Sequence, residues 1–153
     1  MEKTKRLSAT PKALKLVKKL EKEFGELMFY QAGGCCEGTQ PQCLRKGHFY
    51  PRTKDVSIGK ILDYDFWIDH NLFEYWKNAH FELDVLDGFG TGGFSLEIPK
   101  GKTFKINYTL FSAEELKNLE PKMQYHEFMQ QQRDQQNTIY RSVRKGALFF
   151  AEG

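Results

Sequence analysis

The sequence predicts an α+β fold: a twisted, mostly antiparallel β-structure with an N-terminal helix packed on it. Three observations predict it. Leu14, Val17, Leu20 and Phe24 recur at helical spacing in one early stretch. Phe81, Leu83 and Val85 alternate with polar neighbours, and so do Phe104, Ile106 and Tyr108, which is the period-two signature of half-buried strands. Turns rich in glycine and proline, Gly88–Gly93 and Pro99-Lys100-Gly101, separate those strands.

In chain order, Thr10 is a good N-cap and Pro11 suits the first helical position, so the first helix opens there. Lys12, Lys15, Lys18, Lys19 and Lys22 take its outer face, and Gly25 ends it. Leu27-Met28-Phe29-Tyr30 reads as a buried strand. From Glu37 to Asp55 the chain reads as a long polar loop, with a short strand expected at His48-Phe49-Tyr50. Ser57–Leu62 and Asp65–Asp69 read as a hairpin about Asp63-Tyr64. Asp69 then caps a short helix over Asn71–Ala79. Asp63, Asp65, Asp69 and His70 are explained as turn and cap residues, and His80 and His126 as solvated side chains. Phe94, Leu96 and Ile98 predict another strand. Ser112-Ala113-Glu114-Glu115 is a capping-box pattern that begins a short helix. After Pro121 glutamines dominate, and a polar helix is expected to about Gln136. The compact domain is expected over residues 1–119, with a polar helix and tail over 120–153.

Composition narrows the function classes. With 153 residues, including 13 Phe, the chain can bury a core without disulfide staples. The net charge of +3 is mild, and no aromatics interleave with the N-terminal lysines, so nucleic acid is not an expected partner. No stretch approaches the ~18 apolar residues of a membrane helix. The charged start lacks the apolar region of a secretory signal, so a cytoplasmic location is expected.

All 3 cysteines fall in Gly33-Gly34-Cys35-Cys36-Glu37-Gly38-Thr39-Gln40-Pro41-Gln42-Cys43, with His48 close behind. An odd count argues against a disulfide framework, and in a reducing compartment clustered thiols point to metal or redox chemistry. Zinc takes four ligands of Cys or His type, and Cys35, Cys36, Cys43 and His48 supply that number. Zinc, iron or an iron–sulfur cluster is therefore the expected cofactor. The spacing is not the paired C-x2-C of a zinc ribbon, and neighbouring cysteines on an extended chain point to opposite sides. Two other readings stay open: a thiol-dependent redox enzyme or sensor using Cys35 or Cys36, and an interaction module with structural cysteines. The glycine-rich Gly88–Gly93 leads into an expected strand, whereas a phosphate loop leads into a helix. No Ser-His-Asp order or spaced carboxylate pair stands out, so a non-enzymatic role is favoured.

Several words of sequence carry a resemblance. Ala9-Thr10-Pro11, Leu27-Met28-Phe29, Gly33-Gly34-Cys35-Cys36-Glu37-Gly38 with Pro41 and Cys43, Phe73-Glu74-Tyr75-Trp76-Lys77, and Gly92-Gly93-Phe94-Ser95-Leu96-Glu97 occur in order. Over about Ala9 to Leu116 the chain resembles a small bacterial family of unknown function often encoded beside aldehyde dehydrogenases. The resemblance implies a cytoplasmic protein and an aldehyde dehydrogenase as partner, and a homo-oligomer is compatible with it. A remoter resemblance is to the HesB/IscA-like A-type iron–sulfur carriers, through Thr10-Pro11, Gly34–Gly38 and Gly93-Phe94-Ser95-Leu96-Glu97-Ile98-Pro99. It implies a HesB-like fold. Those carriers have a Cys-Gly-Cys near the C-terminus, whereas no cysteine here follows Cys43, so a shared scaffold implies ligands rebuilt around Cys35, Cys36, Cys43 and His48.

Overall fold

Helix α1 spans Pro11–Phe24, and its ends follow the local chemistry. The Thr10 hydroxyl accepts a hydrogen bond from the Ala13 amide (3.1 Å), and Gly25, at φ 84°, returns its N–H to the Glu21 carbonyl (2.8 Å). Its inner face buries Ala13, Leu16, Val17 and Leu20, while Leu14 and Phe24 are half-buried against the same core. The computed structural model describes residues 3–32, 40–88 and 95–136.

Two sheets enclose the core. The first has the order β1-β6-β7, built from Leu7–Ala9, Ala79–Asp87 and Lys102–Leu110. The β6–β7 pair is antiparallel, from Ala79↔Leu110 to Asp87↔Lys102, and β1 joins it in parallel with Leu7 opposite Phe81. The second sheet has the order β3-β2-β5-β4-β8, from Gln42–Arg45, Leu27–Gln31, Tyr64–Ile68, Val56–Ile61 and Met123–Gln124. Within it β2 and β5 are parallel and the other pairs antiparallel. The fold is thus α+β with mixed, mostly antiparallel sheets, and α1 lies against β6.

Phenylalanine joins the two sheets. Phe29 of β2 stacks on Phe66 of β5 (5.6 Å) and meets Phe104 of β7 edge-on (5.8 Å). Every residue of β2 is buried. Leu27 and Phe29 belong to this central cluster, whereas Met28 and Tyr30 join Trp67 in a second one. A strand covered on both faces reads as a continuous apolar run, which is why Leu27–Tyr30 shows no alternation.

Four local expectations need correction. The strand in the long loop is Gln42–Arg45, not His48–Tyr50. Gln42–Arg45 completes the free edge of β2, while Gly47, at φ 92°, turns the chain so that the Phe49 ring packs on Tyr30 (4.5 Å). The β4–β5 turn is Leu62-Asp63, one residue early, because Tyr64 pairs with Ile61 and its hydroxyl reaches Glu21 (2.5 Å). Residues 95–98 form a turn leading into a single 3-10 turn at Ile98–Lys100 instead of a strand. The buried Glu97 carboxylate accepts from the Phe104 amide (3.0 Å) and folds the segment back. His80 is not simply solvated, since its ring bonds Ser8 Oγ (2.7 Å) and the Lys5 carbonyl (3.0 Å).

Helix α2 covers His70–Trp76, and α3 covers Ala113–Lys117 with the expected capping box at Ser112 and Glu115. Beyond Leu119 the chain continues into the fold. Thr4 exchanges backbone bonds with Asn118 (2.7 Å) and Glu120 (2.9 Å), β8 adds to β4, and helical residues 125–136 place Tyr125 and Phe128 on Trp67. Among the described residues, no helix is long and apolar enough to cross a membrane.

Candidate functional site

The cysteine-bearing segment follows the carboxyl end of β2, beside the carboxyl end of its parallel neighbour β5. Polar groups collect at that end. Gln31 closes β2 fully buried; its side-chain nitrogen donates to the Tyr108 hydroxyl (2.9 Å), and its backbone carbonyl accepts from the Asp69 N–H (3.1 Å). Asp69, just past β5, caps α2 by accepting from Asn71 N (2.8 Å) and holds the Arg52 guanidinium with its other oxygen (2.6 Å). Asp55 is also buried and accepts from the Arg52 amide (2.7 Å) and the Tyr30 hydroxyl (3.3 Å). The exposed Arg52 thus sits between two buried carboxylates. Burial pushes the Tyr30 and Tyr108 hydroxyls up from their ordinary range, so both remain neutral donors.

Two nitrogens on α2 stand out. His70 Nδ1 and Trp76 Nε1 are buried with no hydrogen-bond partner among the described residues. The Trp76 ring stacks on Tyr108 (4.2 Å), the residue that also receives Gln31. An imidazole nitrogen left without a donor or acceptor is costly unless something else meets it.

Of the four expected ligands, the structure describes two, and they lie apart. Cys35 and Cys36 lie outside the described residues. Cys43 is on β3 opposite Phe29, with no exposed surface, and belongs to the central cluster. Its amide donates to Ser95 Oγ (2.8 Å), and its carbonyl accepts from Leu96 N (2.9 Å). Burial, reinforced by the Glu97 carboxylate, pushes the Cys43 thiol far up, so it stays protonated. His48 is exposed in the turn after β3, its amide bonded to the Arg45 carbonyl (3.1 Å). Arg45 pairs with Leu27 at the start of β2, so His48 lies at the far end of the sheet from the site at which the cysteine segment departs. Among the described residues, no three His, Cys, Asp or Glu side chains gather as a metal cluster.

Sequence reasoning passed over Gln31, Arg52, Asp55, Glu97 and Tyr108. Only position signals the first: a glutamine ending an apolar strand. Glu97 carries no local signal, because its partner is the amide of Phe104 on another element.

Residues 16–110 match a domain of unknown function, DUF779. The chain belongs to the DUF779 family. The matched span runs from within α1 to the end of β7, so this DUF779 domain includes the cysteine segment, the β2–β5 end and Glu97. No curated protein and no solved structure matches the chain.

Proposed function

We propose that this DUF779 domain is a small metal- or iron–sulfur-binding accessory protein that serves an aldehyde-oxidising enzyme, with Cys35 and Cys36 as its thiolate ligands. The observation that carries the reading is His70 Nδ1, buried and without a hydrogen-bond partner among the described residues, at the end of the sheet that the cysteine segment follows. A neutral imidazole nitrogen completes a soft thiolate set. Cys43 and His48 are not assigned to it, the one being sealed in the central cluster and the other lying at the opposite end of β3. The aldehyde-oxidising partner rests on the family resemblance.

The test is metal analysis of protein purified without oxygen. Stoichiometric zinc or iron in the wild type is expected, lost in Cys35→Ser and Cys36→Ser, reduced in His70→Ala, and kept in His48→Ala. Metal retained in the double cysteine variant would overturn the assignment. A metal-free wild type whose Cys35 or Cys36 alkylates rapidly near neutral pH would replace it with thiol redox chemistry. The partner is tested separately, by co-purification with an aldehyde dehydrogenase.

A further inference from the structure

A cleft of about 290 Å³ lies where helix α1 meets the end of β6 and the start of β7. Leu16 and Val85, both buried, form its floor. The other side chains that line it are Lys12, Lys15 and Lys19 of α1 and Lys102 of β7. Among the described residues, every charged group lining the cleft is therefore a cation. The acids nearby are held by other pairings. Asp87, in register opposite Lys102, pairs with that ammonium and with Lys12 (3.8 Å). Glu23, one turn beyond Lys19 on α1, pairs with Lys100. Lys15 and Lys19 form no ion pair or hydrogen bond among the described residues.

This accounting leaves the cleft short of negative charge. Lys15 and Lys19 stand four residues apart on one helix face, where like charges repel each other. Asp87 is a single carboxylate shared by two lysines. An anion seated in the cleft relieves both deficits. The spacing of the cations bears on its size: Lys12 to Lys19 runs about 10 Å along the helix. One tetrahedral anion is smaller than that span, whereas linked phosphates cover it. Lysine meets phosphate oxygens as a point charge, while a planar carboxylate suits the fork of arginine better. We propose that this cleft binds a small oligophosphate, held by Lys12, Lys15 and Lys19 from α1 and by Lys102 from β7. The site is independent of the metal reading.

The probe is tripolyphosphate, compared with orthophosphate, titrated by calorimetry and two-dimensional NMR into the full chain. One saturable site is expected for tripolyphosphate, with amide shifts at Lys15, Leu16, Lys19 and Val85. Orthophosphate, which meets fewer of the lysines, should bind about tenfold more weakly. Replacing both Lys15→Gln and Lys19→Gln should weaken tripolyphosphate about tenfold, two exposed pairings at about a factor of three each. Replacing both Lys18→Gln and Lys22→Gln removes the same charge from the same helix outside the cleft, and this protein should bind as the wild type does. All four positions lie off the buried face of α1, so both double variants should keep the wild-type melting temperature. Absent or unsaturable binding, equal affinity for the two phosphates, or equal weakening in the two double variants would overturn the proposal.

Discussion

At the residue scale, Glu97 is the most consequential side chain that the sequence hides. It is buried, and burial raises its carboxyl above the ordinary range despite hydrogen bonds from Ser95 and Phe104 N. A folded carboxyl that titrates above its unfolded value favours the fold while protonated; that stability is lost as pH rises from its ordinary value of about 4.5 through the raised one. Glu97→Gln keeps the shape and removes the charge. Its denaturation midpoint should match the wild type near pH 4.5 and exceed it at pH 8; parallel profiles would show that Glu97 carries no pH dependence. Asp84 has the opposite sign. Hydrogen bonds, first from the Val85 amide, hold it below its ordinary value, so its contribution is lost on acidification. The residue level was only partly legible. Asp69 and Ser112 declare their caps in sequence because a cap is a local geometry. Glu97 and Cys43 meet across more than fifty positions, through Ser95, and no spacing rule reaches that far.

At the element scale, Thr10 makes α1 depend on β6. Its hydroxyl accepts from Ala13 N and donates to Asp84 Oδ1 (3.0 Å) on that strand. Thr10→Ala should cost about 1–2 kcal/mol in chemical denaturation; a change near zero would mean that water replaces both bonds. Leu20 is fully buried in the central cluster, so Leu20→Ala should cost about 2–5 kcal/mol. Gly59 sits where β4 bulges, at φ 145°, and an added Cβ would lie 3.3 Å from the Leu7 Cβ of the other sheet. Gly59→Ala should therefore destabilise by about 1–3 kcal/mol, read as a lowered melting temperature. The periodic elements α1, β6 and β7 were legible because one face meets the core and the other meets water. β1 was not: three residues in a polar stretch become a strand only because β6 offers them a parallel partner.

At the scale of the molecule, the five-stranded sheet is covered on both sides, by the central core and by Phe49, Tyr125 and Phe128. A chain ending at Leu119 would lose β8 and the two rings that meet Trp67 edge-on (5.3 Å each). Its tryptophan emission should shift to the red and its melting temperature fall. Unaltered emission would show that residues 120–136 cover nothing essential. The expected boundary at 119 followed a change in composition, and the glutamines there conceal a few aromatics that dock.

The parallel pairing of Leu7–Ala9 with Phe81–Leu83 also bears on how the chain acquires its structure in time. The first strand emerges early from the ribosome, but its partner lies more than seventy residues behind it. Helix α1 and the β4–β5 hairpin can form from local contacts, whereas β1 must wait and then close a long loop at an entropic cost. Nascent chains halted before Ala79 should leave the amides of Leu7–Ala9 open to hydrogen exchange, and chains halted after Leu110 should protect them. Strand β1 thus takes its place only after β6 has been made.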